Sequence, residues 1–545
     1  MGFSLSPLSR ASASVLALVL ICVPLTIGTI WAFPIWDDAL IWLLLHENGL
    51  GMIAAGEADR PVMAAVWSLL ASSEPAFWRG SFVAQALLWP TFGLLSALLW
   101  TFLFPNVRAY AMVVGCVTVA PIISRVQMVT ANIALASLLS VVLSYGALLL
   151  LLRFVRADGR VGLAALGLSL PMLGFGILIT EYALPVVIVM AILFWGYGWR
   201  APDPETRVRA WRAIIFSTLT AAVAYAMYFT IADYTARPDG SDYKPSYILT
   251  LGKAHLVRFP LDLMEGIWRS VVGSFRLALG DVTLTSKSGV MAAVYGALVA
   301  SLLFYGSRNA QHNAQSPSRN IISKRDVLLP VVALVAGLLP TVAMARIPWN
   351  PGDGMYSKFE LPLLPITAAL MVLISLSLVR QRFWAVPILV FGFVAGNSTF
   401  TAVWSAIQER QQMAALGAAL QPHVASKDGQ TVAAVALPER SLGPQRPYEL
   451  TVRLAATWPP ELRKRFWAFR FGEVSPTYRR DLEAESNFGS RGDCVPPREF
   501  QWRNRHVTRD GPLDQLIWIM PRADGSVSVE PYCINDLNEH QVPPH

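Results

Sequence analysis

The chain has 545 residues, of which 54% are hydrophobic and 15% charged, and a formal net charge of +8. That apolar share exceeds what a water-soluble core requires and places the chain among proteins that cross a membrane many times. The positive charge does not point to nucleic acid: Lys and Arg fall mostly in short connections between apolar runs, and no basic stripe with a recognition signature accompanies them.

In chain order, apolar runs long enough to cross about 30 Å of hydrocarbon lie near 12–34, 81–104, 108–127, 131–154, 161–180, 182–199, 212–233, 288–306, 327–345, 360–379 and 383–403. These predict about eleven transmembrane helices. The first run follows Arg10 like a signal peptide, but it is long, has no small-x-small cleavage site and is followed by many more spans, so it reads as an uncleaved first helix. With the N-terminus inside, the even connections hold Arg108; Arg153, Arg156 and Arg160; Arg200, Arg207, Arg209 and Arg212; Arg308, Arg319, Lys324 and Arg325; and Arg380 and Arg382. The odd connections hold far fewer cations: Arg60, Arg79, Arg125, Arg346 and Lys358. The positive-inside rule then sets a cytoplasmic N-terminus, and an odd number of spans puts everything beyond about Trp404 outside.

Two longer outer connections interrupt the series. The loop at 35–80 is semi-apolar and reads as short interfacial helices with Trp at headgroup depth, and the loop at 234–287 is similar, ending in an amphipathic stretch around Trp268 and Arg269. After Trp404 the composition turns polar. Thr431–Leu437 and Leu516–Met520 are β-like, 448–470 is patterned as helix, and Pro521-Arg522-Ala523-Asp524-Gly525 reads as a turn between strands. The expected fold is therefore an α-helical polytopic membrane body, 1–404, with a small C-terminal α/β extracytoplasmic domain, 405–545. Cys22 and Cys116 lie in apolar runs as small hydrophobes, whereas Cys494 and Cys533 can pair if their compartment is oxidising.

The stretch richest in chemistry is Trp36-Asp37-Asp38, two carboxylates just after Pro34 and flanked by Ile35, Ala39 and Leu40. Charge beside a bilayer is costly unless used, and a poorly solvated carboxylate suits a general base for a hydroxyl. Asp59-Arg60-Pro61 adds a cation to the same loop. Arg60, Arg346 and Lys358 are candidates for gripping a phosphate; the competing reading of each is snorkelling toward headgroups. Lys253, His255 and Arg258 form a second basic set, which reads equally as a solvated or headgroup-facing surface, and Arg125 is a weaker member of the outer cations. Glu181, between two apolar runs, either caps a tight hairpin or projects into a polar cavity.

The acidic motif opening the first outer loop, the amphipathic helices in that loop, the multi-span body and the C-terminal outer domain together resemble the GT-C superfamily of membrane glycosyltransferases. Trp36-Asp37-Asp38-Ala39 and Asp59-Arg60-Pro61 are similar to the Asp-Asp and Gly-Arg-Pro elements of its bacterial glucosyltransferase-like branches, and Ser357-Lys358-Phe359-Glu360-Leu361-Pro362 with Pro365 is similar to an Arg-Tyr-x-x-Pro motif opening a late span. Asp59 stands where a small residue is usual, and Lys358 where Arg is.

The resemblance implies inverting transfer of a hexose or pentose from a polyprenyl-phosphate donor to a glycan, lipid or protein acceptor of the cell envelope. The location it implies is the outer face of a bacterial cytoplasmic membrane. It casts Asp37 as the base and Asp38 as its partner or a ligand for a divalent cation such as Mg or Mn. Arg60, Arg346 and Lys358 would hold the donor phosphate, and Glu181, Asp59, Lys253, His255 and Arg258 would contact substrate. The rival readings are a lipid-glycan transporter or flippase, which predicts midplane charges and pseudo-symmetric halves, and a non-catalytic envelope scaffold. Gly49-Leu50-Gly51 lacks the preceding strand of a dinucleotide site, Asn397-Ser398-Thr399 is a glycosylation sequon inside a predicted span, and Arg491-Gly492-Asp493 is a coincidence of three residues.

Overall fold

A computed structural model describes residues 7–31, 62–63, 65, 74–123, 132–157, 159–180, 182–201, 203–234, 253–280, 282, 284–313, 324–343, 356–380, 383–425, 432–436, 453–455, 457–463, 466–470, 500–503, 508–511, 515–521 and 527–531. The chain divides into two compact units, Met1–Ile30 with Glu57–Ala406 and Trp31–Gly56 with Ile407–His545.

The first unit is helical. Its helices are α1 Pro7–Trp31, α2 Glu74–Leu103, α3 Ala111–Val119, α4 Asn132–Arg156, α5 Gly159–Ile179, α6 Ala183–Arg200, α7 Pro204–Tyr234, α8 Lys253–Trp268, α9 Ser274–Gly280, α10 Lys287–Asn313, α11 Lys324–Ala343, α12 Leu364–Leu378 and α13 Ala385–Ala425, the last of which continues into the second unit. Among the described residues nine helical stretches are long and apolar enough to cross a membrane: Ala11–Gly28, Gly80–Leu103, Leu135–Arg156, Gly159–Ile179, Ala183–Arg200, Pro204–Tyr228, Lys287–Ser307, Glu360–Leu378 and Ala385–Ala425. The protein is a helical polytopic membrane protein. Helices dominate because hydrocarbon offers no partners to backbone N–H and C=O groups, so each segment must satisfy its own. Side chains such as Leu163, Leu168, Leu219, Val223 and Val294 stay exposed on helix faces, an arrangement suited to lipid and a liability in water.

Two expected spans are built differently. The 108–127 run becomes a 3-10 segment, Pro105–Tyr110, and the nine-residue α3, after which Ala120 turns extended (ψ 149°). The cause is Pro121, whose ring disfavours helical geometry in the residue before it. The 327–345 run forms α11, whose apolar part, Asp326–Pro340, is shorter than the nine spans.

Hydroxyls and small residues tighten the bundle. Tyr295 Oη donates to the carbonyl of Leu20, the acceptor left without a helical donor by Pro24 four residues on. Ser140 Oγ on α4 donates to the Gly176 carbonyl of α5 at 2.7 Å. Helices α10 and α13 meet at glycines, where a Cβ on Gly396 would lie 2.9 Å from the Gly296 Cα. Asn397, Ser398 and Thr399, the sequon triplet, are buried within α13 just beyond that crossing.

One end of the bundle gathers the basic connections. Arg156 Nη2 donates to the Phe102 carbonyl at 2.7 Å, Arg209 Nη1 to Ala157 at 3.0 Å, Arg200 pairs with Asp326 at 3.3 Å, and Tyr110 Oη donates to Trp384 at 2.8 Å. Arg156 is also stacked between Phe102 and Tyr197, 4.8 and 5.1 Å from their ring centres.

In the second unit, strands β1 Val432–Ala436, β2 Phe466–Arg470, β5 Gln515–Pro521 and β6 Val527–Pro531 form a sheet in the order β2-β1-β5-β6, and β3 Phe500–Arg503 pairs with β4 Thr508–Gly511. β1 is parallel to both its neighbours, and β5 and β6 are antiparallel. The two β-like runs supply β1 and β5, whereas part of the helix-patterned 448–470 stretch is strand β2. Its Phe-Trp-Ala-Phe sequence favours a pleated, half-buried surface. Trp458 donates Nε1 to the Gly417 carbonyl of α13 at 3.0 Å, and Arg453 pairs with Glu409 at 2.6 Å.

Candidate functional site

The segment that starts the eighth of these spans carries the most unusual side chain among the described residues of the first unit. Tyr356–Leu363 is a 3-10 helix leading into α12, and it packs against α4, α6 and α11. Glu360, its fifth residue, is 2% exposed. Its Oε1 accepts a hydrogen bond of 2.7 Å from Ser270 Oγ, and among the described residues its Oε2 has no partner. Burying a carboxyl with one oxygen unengaged is expensive, so such a group calls for a function.

Two contacts fix the segment. Tyr145, fully buried on α4, donates Oη to the Pro362 carbonyl at 2.8 Å, and its ring sits 5.8 Å from that of Phe92 on α2. The second is Ser270 itself. Between α8 and α9 the chain takes a single π turn, Arg269–Gly273, and Ser274 Oγ returns to the Arg269 carbonyl at 2.9 Å. Gly266, Ser270, Ser274 and Ala278 recur every fourth residue on the buried face of this stretch, while Leu261, Met264, Trp268 and Val272 are exposed on the other. Small residues inside let the helical backbone approach the bundle, and the apolar outer stripe suits the membrane interface.

Helix α12 runs from this segment to the basic end, where Trp384 Nε1 donates to the Leu376 and Val379 carbonyls at 3.2 Å each. Three more 3-10 residues and the 15 residues of α12 separate Glu360 from that end by about 28 Å, at about 2.0 and 1.5 Å per residue. Glu360 thus lies toward the far boundary of a hydrocarbon layer about 30 Å thick, opposite the arginines.

Of the residues singled out in the sequence, Lys358 belongs to the same 3-10 segment as Glu360, and Lys253, His255 and Arg258 belong to α8. The Ser270–Glu360 bond thereby joins the two stretches that carry them. It does not bring the α8 cations to the carboxyl: Arg258, which is exposed, lies 12 residues (270 − 258) before Ser270, about 18 Å along a helix. Asp37, Asp38, Asp59, Arg60, Arg125, Glu181, Arg346, Cys494 and Cys533 lie outside the described residues. Among the described residues no cluster of three or more His, Cys, Asp or Glu side chains is arranged to hold a metal ion.

Glu360 stands in the Ser357–Pro362 motif only at an unassigned position, and Ser270 stands in no motif. The available signal was a lone acid at the head of the apolar run 360–379; nothing in the sequence marks Ser270, because a π turn has no reliable pattern.

No protein-family model matches the chain, and no curated protein sequence matches it.

Chemically, the arrangement offers a carboxyl in a water-poor setting at one boundary of the membrane, with a serine hydroxyl on one of its oxygens and the backbone of its segment tied at Pro362 by the Tyr145 hydroxyl. Such a group accepts hydrogen bonds when ionised and can donate one when protonated.

Proposed function

We propose that the chain is an inverting membrane glycosyltransferase of the GT-C type, moving a sugar from a polyprenyl-phosphate donor to a cell-envelope glycan, lipid or protein at the outer face of a bacterial inner membrane. The reading rests on the resemblance of the Asp37-Asp38, Asp59-Arg60-Pro61 and Ser357–Pro362 stretches to that superfamily, and it is supported by the buried carboxyl of Glu360 in the segment that also bears Lys358, at the boundary opposite the arginine-rich end. In this reading the arginine-rich end faces the cytoplasm, the N-terminus is cytoplasmic, and the chain beyond about 405 is an extracytoplasmic α/β domain.

The acceptor oxygen attacks the anomeric carbon from the face opposite the donor phosphate; the bond between that carbon and the phosphate oxygen breaks, and the polyprenyl phosphate leaves. Asp37 takes the acceptor proton, with Asp38 as its partner or as ligand to Mg or Mn. Arg60, Arg346 and Lys358 stabilise the departing phosphate. Asp59, Glu181, Lys253, His255 and Arg258 line the approach for substrate. The test is transfer of labelled sugar from lipid donor to acceptor by the purified protein. Asp37→Asn is expected to lower the rate by about a hundredfold to ten-thousandfold while leaving expression and folding intact. Full activity in both Asp37→Asn and Asp38→Asn removes the proposed base.

A second reading, a lipid-glycan transporter, is favoured by the triplet Asn397, Ser398 and Thr399, whose buried side-chain polar atoms have no hydrogen-bond partner among the described residues of a spanning helix. Movement of labelled lipid-glycan across proteoliposomes without sugar transfer selects it.

A further inference from the structure

Glu360 has no role in the reaction as set out above, yet it is the buried titratable group whose surroundings are most completely built. One oxygen is engaged by Ser270, the backbone of its segment is held by Tyr145, and the other oxygen is buried with no partner among the described residues. The partner that completes it has a definable chemistry. An ionised carboxyl oxygen needs a donor and a protonated one needs an acceptor; a hydroxyl is both, so it fits in either state, whereas an ammonium fits only the first. The surroundings also define the approach. Ser270 sits on the inner face of a helical stretch whose outer face presents Leu261, Met264, Trp268 and Val272. A ligand reaching Glu360 past that stretch arrives along the membrane boundary, so it is borne by a lipid.

We propose that Glu360 Oε2 binds a hydroxyl of the sugar carried by the lipid donor, and that Ser270, presented by the π turn, is the positioning residue that fixes the carboxyl for it. This rests on the glycosyltransferase reading and adds a recognition site for the sugar, separate from the groups assigned to the phosphate and to the acceptor proton. The π turn lies at the place where Ser270 faces Glu360, between α8 and α9, and such single turns are frequent at functional sites. Ser270 otherwise lies among small residues that only pack.

The test compares binding of polyprenyl-phosphate glucose, galactose, mannose and arabinose with binding of polyprenyl phosphate alone, using the full-length protein in lipid nanodiscs. Wild type is expected to bind at least one sugar lipid more tightly than the bare phosphate. Glu360→Leu, which keeps the side-chain bulk without the polar group, is expected to weaken that sugar lipid about tenfold, the equivalent of one hydrogen bond, and to leave polyprenyl phosphate unchanged. Glu360→Gln should retain part of the preference. Ser270→Ala should lose about threefold, and Ser270→Thr should restore it. If Glu360→Leu weakens sugar lipid and bare phosphate equally, or neither, this proposal fails while the glycosyltransferase reading stands. If wild type binds none of the sugar lipids, both fail.

Discussion

Tyr295 gives the sharpest test of how this bundle satisfies its backbone. Pro24 removes the N–H that would bond the Leu20 carbonyl, and the Tyr295 hydroxyl replaces it from another helix. Tyr295→Phe keeps the ring, which sits 5.9 Å from Phe400, and deletes only the donor. Leaving a buried acceptor unsatisfied costs about 1–3 kcal/mol, whereas interhelical hydrogen bonds in membranes average about 0.6 kcal/mol with a ceiling near 1.7. A proline-freed carbonyl has no intrahelical alternative, which lifts the loss above the membrane average, and the membrane ceiling limits it, giving an expected loss of about 1–1.5 kcal/mol. The decisive measurement is a double-mutant cycle by reversible unfolding in mixed micelles. Pro24→Ala restores the missing N–H, so in that background Tyr295→Phe should lose about 0.5 kcal/mol or less. An equal loss in both backgrounds, or none in either, refutes the claim that the hydroxyl substitutes for the proline's missing donor.

Other outcomes follow from the same physics. Gly296→Ala would place a Cβ 2.6 Å from the Phe393 carbonyl oxygen and should destabilise by about 1–3 kcal/mol; Gly167→Ala, where a Cβ meets nothing within 4 Å, should leave thermal stability unchanged or raise it slightly. Arg156→Lys loses the two-ring stack and the fork that bonds Phe102 and Tyr197, and unfolding should show a loss of about 1–2 kcal/mol. Asp203 caps α7, accepting from the Thr206 N–H at 2.6 Å, and that bond, with help from the Thr206 hydroxyl and the Arg209 charge, holds its carboxyl below the usual value. Its stabilising contribution is therefore complete above the unfolded carboxylate value of about 3.9 and is lost as pH falls through the lower folded value. Thermal unfolding followed from pH 5 to pH 3 should fall less steeply for Asp203→Asn than for wild type.

How much was legible follows from range. Among the described residues nine of the predicted spans correspond to helices long and apolar enough to cross a membrane, because a run of about 20 apolar residues in lipid has one backbone solution, and that requirement is local. The 108–127 run misled because hydropathy averages over Pro121, which ends α3 regardless of how apolar its neighbours are. Strands β1 and β5 were readable from their β-branched and aliphatic content. β2 was set within a helix-patterned stretch; its aromatic residues favour a strand, and parallel pairing with β1, more than 30 residues away, is what decides between the two.

The sequence by itself determined that the chain crosses a membrane many times, roughly where, and which connections carry the cations, because hydrophobic length and charge act residue by residue. Only the tertiary structure decided that those basic connections tie together at one end, that a tyrosine repairs a proline's missing bond, and that Ser270 meets Glu360 across 90 positions of sequence. Those pairings depend on which helix faces which, and on a one-residue widening of a helical turn, neither of which leaves a periodic trace in the order of the amino acids.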